Sequence, residues 1–97
     1  MEPVKRVEVI INGRAMRRVC EALDRLQVGG YTVLQGATGR GNRGVQAGDD
    51  LDGLLANSVL ITAVEAATVD PLVAAIRPLL VQFGGVCLVS DAAWVRH

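Results

Sequence analysis

Apolar residues recur along this chain at two different spacings, and each change of spacing marks the edge of an element. Val7, Val9 and Ile11 fall on one side of an extended segment and Arg6 and Glu8 on the other, which predicts a strand over Val4–Ile11. Asn12-Gly13 breaks that alternation and offers a cap. From Arg14 to Gln27 the spacing becomes helical. Ala15, Val19, Leu23 and Leu26 form one stripe, while Arg17, Arg18, Glu21, Asp24 and Arg25 cover the opposite face. Gly29-Gly30 is the expected end of this helix. Tyr31–Gln35 begins a second strand. Ser58–Ala66 reads as a third strand, apolar on both sides apart from Thr62, the pattern of a covered central strand. Asp70-Pro71 supplies a cap and a first helical position for a second helix that runs to about Phe83, with Pro78 expected to kink or interrupt it. Gly84-Gly85 ends that helix, Val86–Ser90 is a fourth strand, and Asp91–His97 is a tail, either a helical turn or an added edge strand.

The order is therefore β-α-β, a long loop, then β-α-β, with a glycine pair after each helix. This is the α+β, ferredoxin-like βαββαβ pattern in a single domain spanning residues 1–97. Crossovers of one hand place both helices on one face of the sheet. The other face is left uncovered and, on this reading, carries Leu60 and Val64. Packing that face against copies of itself is the simplest way to bury it, so a closed homo-oligomer is expected.

Composition narrows the function classes. With 97 residues, 51% of them hydrophobic, the chain can build one core, and its formal net charge of zero argues against wholesale attraction to nucleic acid. Tyr31, Phe83 and Trp94 are the only aromatic residues, too few for base-stacking platforms. Cys20 and Cys87 lie inside apolar segments and read as small hydrophobes in a reducing compartment. The alternating charged start does not resemble a leader, and no apolar run reaches the roughly 20 residues of a membrane span, so a cytoplasmic protein without membrane insertion is expected.

The long loop, Gly36–Gly53, holds six of the eleven glycines, with Arg40 and Arg43 in its first half and Asp49, Asp50 and Asp52 in its second. Loops of this length are usually functional or disordered. Glycine amides and arginine forks together suit a phosphate or carboxylate. The segment is neither a Walker A loop nor a dinucleotide fingerprint, since the glycine spacing and the following helix are both missing. A solvated polar loop with arginine–aspartate pairs reads equally well from composition. The aspartate spacing is not that of a calcium loop, and His97, the single histidine, is terminal. No nucleophile–base pair and no acid/base carboxylate pair is visible, so an enzyme is not expected.

Gly29-Gly-Tyr-Thr-Val-Leu-Gln-Gly36, followed by Thr38-Gly-Arg-Gly-Asn-Arg-Gly44, resembles the second strand and T-loop base of the PII-like signalling proteins, above all the subgroup encoded beside inorganic-carbon uptake or carboxysome genes. The likeness extends to element order, loop position, the glycine pair before the last strand, and length. It implies a homotrimer with an adenine nucleotide in each cleft between subunits and a T-loop, about residues 37–57, that engages a target protein. The resemblance places Tyr31, Thr32 and Val33 around the base, with Val64 near it. It places Gly36, Ala37, Thr38, Gly39, Arg40, Asn42 and Arg43 on the phosphate side. Phe83, Gly84 and Gly85 stand at the B-loop, their amides turned to phosphate, and Arg96 stands at a C-terminal basic position that reaches phosphate from the adjoining subunit. The B-loop is short here, which favours AMP or ADP over ATP. Asn42 replaces the family's loop-base glutamine, so 2-oxoglutarate sensing does not carry over, and the loop has no tyrosine to be modified. The carbon-linked likeness further implies bicarbonate as a second ligand, and a bicarbonate transporter or carboxysome-related protein as target.

Other functions share this architecture. A stand-alone ferredoxin-like module for amino acids or another metabolite is the main alternative, although such modules usually lack the long glycine-rich loop. A small enzyme would need a catalytic constellation, and an RNA-recognition module would need exposed aromatics on the central strands, which Val59–Val64 does not supply.

Overall fold

The computed structural model describes residues 1–41, 44–46 and 57–97, and of 39–41 and 44–46 the backbone only. Its elements are β1 (Glu2–Asn12), α1 (Gly13–Arg25), β2 (Thr32–Ala37), β3 (Gly39–Gly41), β4 (Gly44–Gln46), β5 (Asn57–Val64), α2 (Ala66–Phe83) and β6 (Val86–Trp94). The main sheet has the order β2-β5-β1-β6, with every neighbouring pair antiparallel. Strands β1 and β2 are thus separated by β5, the split arrangement of the ferredoxin-like fold.

Both helices lie on one face. Val7, Val9 and Ile11 of β1 and Leu60 and Val64 of β5 point into the layer beneath them. There they meet Ala15, Met16, Val19 and Leu23 of α1 and Leu72 and Ile76 of α2. Each large side chain fully buried in this core contributes roughly 1.5–3 kcal/mol. Leu60 and Val64 are therefore core residues and not part of the uncovered face. Because β5 is apolar on both sides, its periodicity could not tell one side from the other. The uncovered face carries Val59, Ile61 and Ala63 instead, beside Leu34 of β2 and Val86, Leu88 and Trp94 of β6. Leu34 and Leu88 are 55% and 53% exposed, and an Arg6–Glu8 ion pair of 2.7 Å sits amid this apolar surface.

Local chemistry explains several boundaries. Asn12 caps α1, its side-chain oxygen accepting from the Ala15 amide at 2.9 Å. The helix ends before the glycine pair: Gln27 takes the left-handed conformation (φ 58°), while the amides of Gln27 and Val28 bond back to the carbonyls of Asp24 and Leu23. Helix α2 begins at Ala66, after an N-cap residue, Glu65, whose side chain makes no capping bond, so Asp70-Pro71 lies a full turn inside it. Alanines at the start outweigh the Asp-Pro signal. Pro71 and Pro78 are both exposed and seven residues apart, hence on one outward face. There each missing amide and ring clash falls on the solvent side, and the helix continues through both. Gly84 closes α2 in a left-handed C-cap (φ 76°), with its amide on the Leu80 carbonyl at 2.8 Å. By length and composition α2 passes for a membrane span, but here it shares the helical layer with α1, with Leu72 and Ile76 in the core. The tail expected after Ser90 extends β6 to Trp94.

At the far end of β2 the register with β5 slips by one residue between Leu34 and Ala37, and Gly36 (φ 78°) lies in that bulge. The chain leaves the sheet there. Within the segment read from sequence as loop, β3 and β4 pair as a short antiparallel ladder, Arg40 opposite Val45.

Candidate functional site

A groove of about 1020 Å³ crosses one end of the sheet. One wall is the turn from Gly29 to Thr32, between α1 and β2. The floor comes from Ile61–Val64 at the end of β5 and from Val4 and Arg6 of β1. Ala92, Trp94 and Arg96 close the opposite side, at the β6 edge. Arg96 donates to a Glu2 carboxylate oxygen at 2.7 Å and stands 5.8 Å from the centre of the Trp94 ring. Their hydrogen bond and charge hold the Glu2 carboxyl below its ordinary value and raise Arg96.

The opposite wall is tied down from two sides. Thr62, buried in the layer beneath the helices, donates to the Gly30 carbonyl at 2.5 Å. The Tyr31 hydroxyl donates to Asp24 Oδ1 of α1 at 3.1 Å. Chiefly because of that hydrogen bond, the phenol is pushed up to about 12. Cys20 beside it is raised mainly by burial, and Cys87 is raised by burial as well. Both cysteines are free and pack against the core.

Of the residues singled out from sequence, Tyr31, Thr32, Val64 and Arg96 meet in this groove, so Arg96 stands beside the base residues of its own chain and not, as the resemblance had it, across from them on the adjoining subunit. Val33 points to the other side of β2 and packs on the core. Gly36, Ala37 and Thr38 lie at the other end of the sheet, as do Phe83, Gly84 and Gly85. These two groups sit at opposite edges, β2 and β6, roughly 14 Å apart at the usual strand spacing. Phe83 packs on the core beneath the Arg18 guanidinium, 5.6 Å from its ring centre. The Gly84 amide is spent on the helix cap, so it does not point at a ligand as expected. Gly85 is required by packing: a Cβ there would lie 2.8 Å from the Ile10 carbonyl oxygen and 2.8 Å from Ile11 Cγ1. Asn42 and Arg43 lie outside the described residues, as does the side chain of Arg40, and Gly39 is described by its backbone alone. Sequence reasoning missed Glu2, Thr62 and Trp94 as groove residues. Thr62 had left a signal, as the one polar residue between Val59 and Val64. Among the described residues no cluster of three metal-ligating side chains occurs.

One chain therefore separates the groove end from the loop end. The class this geometry defines is an α+β protein of split ferredoxin-like topology with a groove at one end of its sheet. The profile of the family described as nitrogen regulatory protein P-II matches residues 4–97, and the chain belongs to that family. Among solved structures it is similar to CPII, a nitrogen regulatory PII-like protein from Thiomonas intermedia K12. The form bound to ADP, AMP and bicarbonate superposes with a TM-score of 0.89 at 30% identity, covering 97% of this chain and 90% of that one. The form bound to ADP and bicarbonate gives 0.86 at 31% identity, with the same coverage. The apo form gives 0.81 at 29% identity over 98% of this chain and 95% of that one. No curated protein matches the chain.

Proposed function

We propose that this protein is a non-catalytic regulator that assembles as a closed trimer, binds an adenine nucleotide between subunits and signals through its T-loop. The observation that carries this reading is the whole-chain similarity to CPII, whose structure holds ADP, AMP and bicarbonate. A cyclic trimer joins two different patches, one from each neighbour. The groove of one subunit can then face the loop end of the next. Tyr31, Thr32 and Val64 would hold the base and Arg96 a phosphate. The neighbour would add the Gly36–Thr38 turn, the Phe83–Gly85 turn, and Arg40, Asn42 and Arg43. A groove of about 1020 Å³ exceeds most small-ligand sites, as a cleft shared with a second chain should. The exposed Leu34, Leu88 and Trp94 supply an apolar face for the assembly.

AMP and ADP are the favoured ligands, since the short turn at Gly84-Gly85 has one amide committed to the helix cap and offers few donors for a third phosphate. Bicarbonate is the second ligand, taken by the loop-base arginines. The T-loop target belongs to inorganic-carbon metabolism, a bicarbonate transporter or carboxysome-related protein, and the protein works in the cytoplasm. Calorimetry with AMP, ADP, ATP and cAMP, each with and without bicarbonate, tests this. Saturable heat with AMP or ADP, altered by bicarbonate, is expected; no heat with any nucleotide refutes it.

A further inference from the structure

Gly29 and Gly30 have no evident task inside the chain. Neither takes the left-handed conformation, and a Cβ added to either would meet nothing within 4 Å. Ending α1 falls to Gln27. The turn that walls the groove is therefore locked neither by packing nor by a required backbone angle, and a glycine pair left to itself samples many conformations. Two hydrogen bonds restrain it. Thr62 is 4% exposed, sits on the core side of β5 between Leu60 and Val64, and donates to Gly30. A hydroxyl in such an apolar layer costs stability unless it is bonded, and its bond goes to this turn. From the other side, Tyr31 is held by Asp24, a residue of α1 outside the groove lining.

We propose that Thr62 and Asp24 are positioning residues that pre-set the Gly29–Thr32 wall for the flat base of an adenine nucleotide. This rests on the reading that the groove holds the nucleotide. A wall that is competent only part of the time weakens apparent affinity by that fraction, so Thr62 acts through the turn it holds and Asp24 acts from outside the groove lining.

The test is calorimetry with ADP on the full chain, wild type beside Thr62→Ser, Thr62→Val and Asp24→Ala, with a thermal melt of each. Thr62→Ser keeps the hydroxyl and should bind within about two-fold of wild type. Thr62→Val and Asp24→Ala should bind about three- to ten-fold more weakly. Asp24→Ala loses one exposed hydrogen bond from Tyr31, a small contribution, while alanine favours the helix and a negative charge leaves its C-terminal turn, so its melt should stay close to that of wild type. A purely structural role cannot lower affinity while stability holds. Should Thr62→Val not fold, Asp24→Ala carries the test, since it lies on an exposed helix face. Wild-type affinity in Thr62→Val or Asp24→Ala overturns the proposal, and so does a Thr62→Ser as weak as Thr62→Val. Absence of ADP binding by the wild type is a different result: it overturns the functional reading itself and this inference with it.

Discussion

Arg96 spans the two ends of the chain to reach Glu2, 2.7 Å away, inside the groove assigned to the nucleotide. On the proposed reading of Arg96 as a phosphate ligand, the carboxylate takes the place on the guanidinium that a phosphate would fill, and Glu2 would compete with it. Both side chains are largely exposed, and such pairs add little to stability.

Substituting Glu2 should therefore affect binding more than folding. Glu2→Gln is expected to raise ADP affinity about two- to five-fold, whereas Arg96→Ala should lower it by a factor of about ten, the loss of a charge-assisted contact. Calorimetry on both variants checks this. The pH dependence has a definite sign. Because the pair lowers the Glu2 carboxyl in the folded chain, its contribution is present above the ordinary value of 4.5 and is lost as pH falls through the lowered one.

Tyr31 is the chain's single tyrosine, so its titration can be read directly from phenolate absorbance. The phenol should titrate at about 12, held up first by its hydrogen bond to Asp24. In Asp24→Ala the midpoint should move back towards 10. A folded-state value raised above the unfolded one means that the contribution is complete below about pH 10 and lost as pH rises through the folded value.

Two glycines should respond oppositely to a methyl group. Gly85→Ala places a Cβ against the Ile10 carbonyl and the Ile11 side chain and should cost about 1–3 kcal/mol in denaturant titration. Gly29→Ala meets nothing and should be neutral, or stabilise the fold by about 0.4–1 kcal/mol through the unfolded chain.

The uncovered sheet face should govern assembly. Leu88 stands opposite Glu8 on that face, beside the Arg6–Glu8 pair. Leu88→Glu puts a second carboxylate there and should dissociate the proposed trimer while leaving far-ultraviolet dichroism unchanged. Light scattering behind a sizing column reports the mass.

The elements that alternate cleanly were legible in the sequence. Val7, Val9 and Ile11 marked the inner side of β1, and Asn12 capped α1 as expected. Where the sequence misled, a second physical signal competed. Asp70-Pro71 carries the chemistry of a helix start, yet alanines began the helix a turn earlier, and the outward face tolerated the proline. Leu60 and Val64 were assigned to the wrong side because an apolar strand has no period to read. Gly29-Gly30 looked like a helix stop, although Gln27 performs that task. Of the candidate site, Tyr31, Thr32, Val64 and Arg96 converge, whereas the turns at Gly36 and Gly84 lie at the far end of the sheet. The proposed site would join these groups between copies, which no one-chain pattern encodes.

The central claim is that the nucleotide site exists only between copies. Sedimentation velocity with ADP, monitored at the nucleotide's absorbance, tests it most directly. ADP should travel with a particle about three times the 10.3 kDa chain, and Leu88→Glu should lose bound ADP as it falls to one chain. A 10.3 kDa species that carries ADP as tightly as the larger particle would contradict the account.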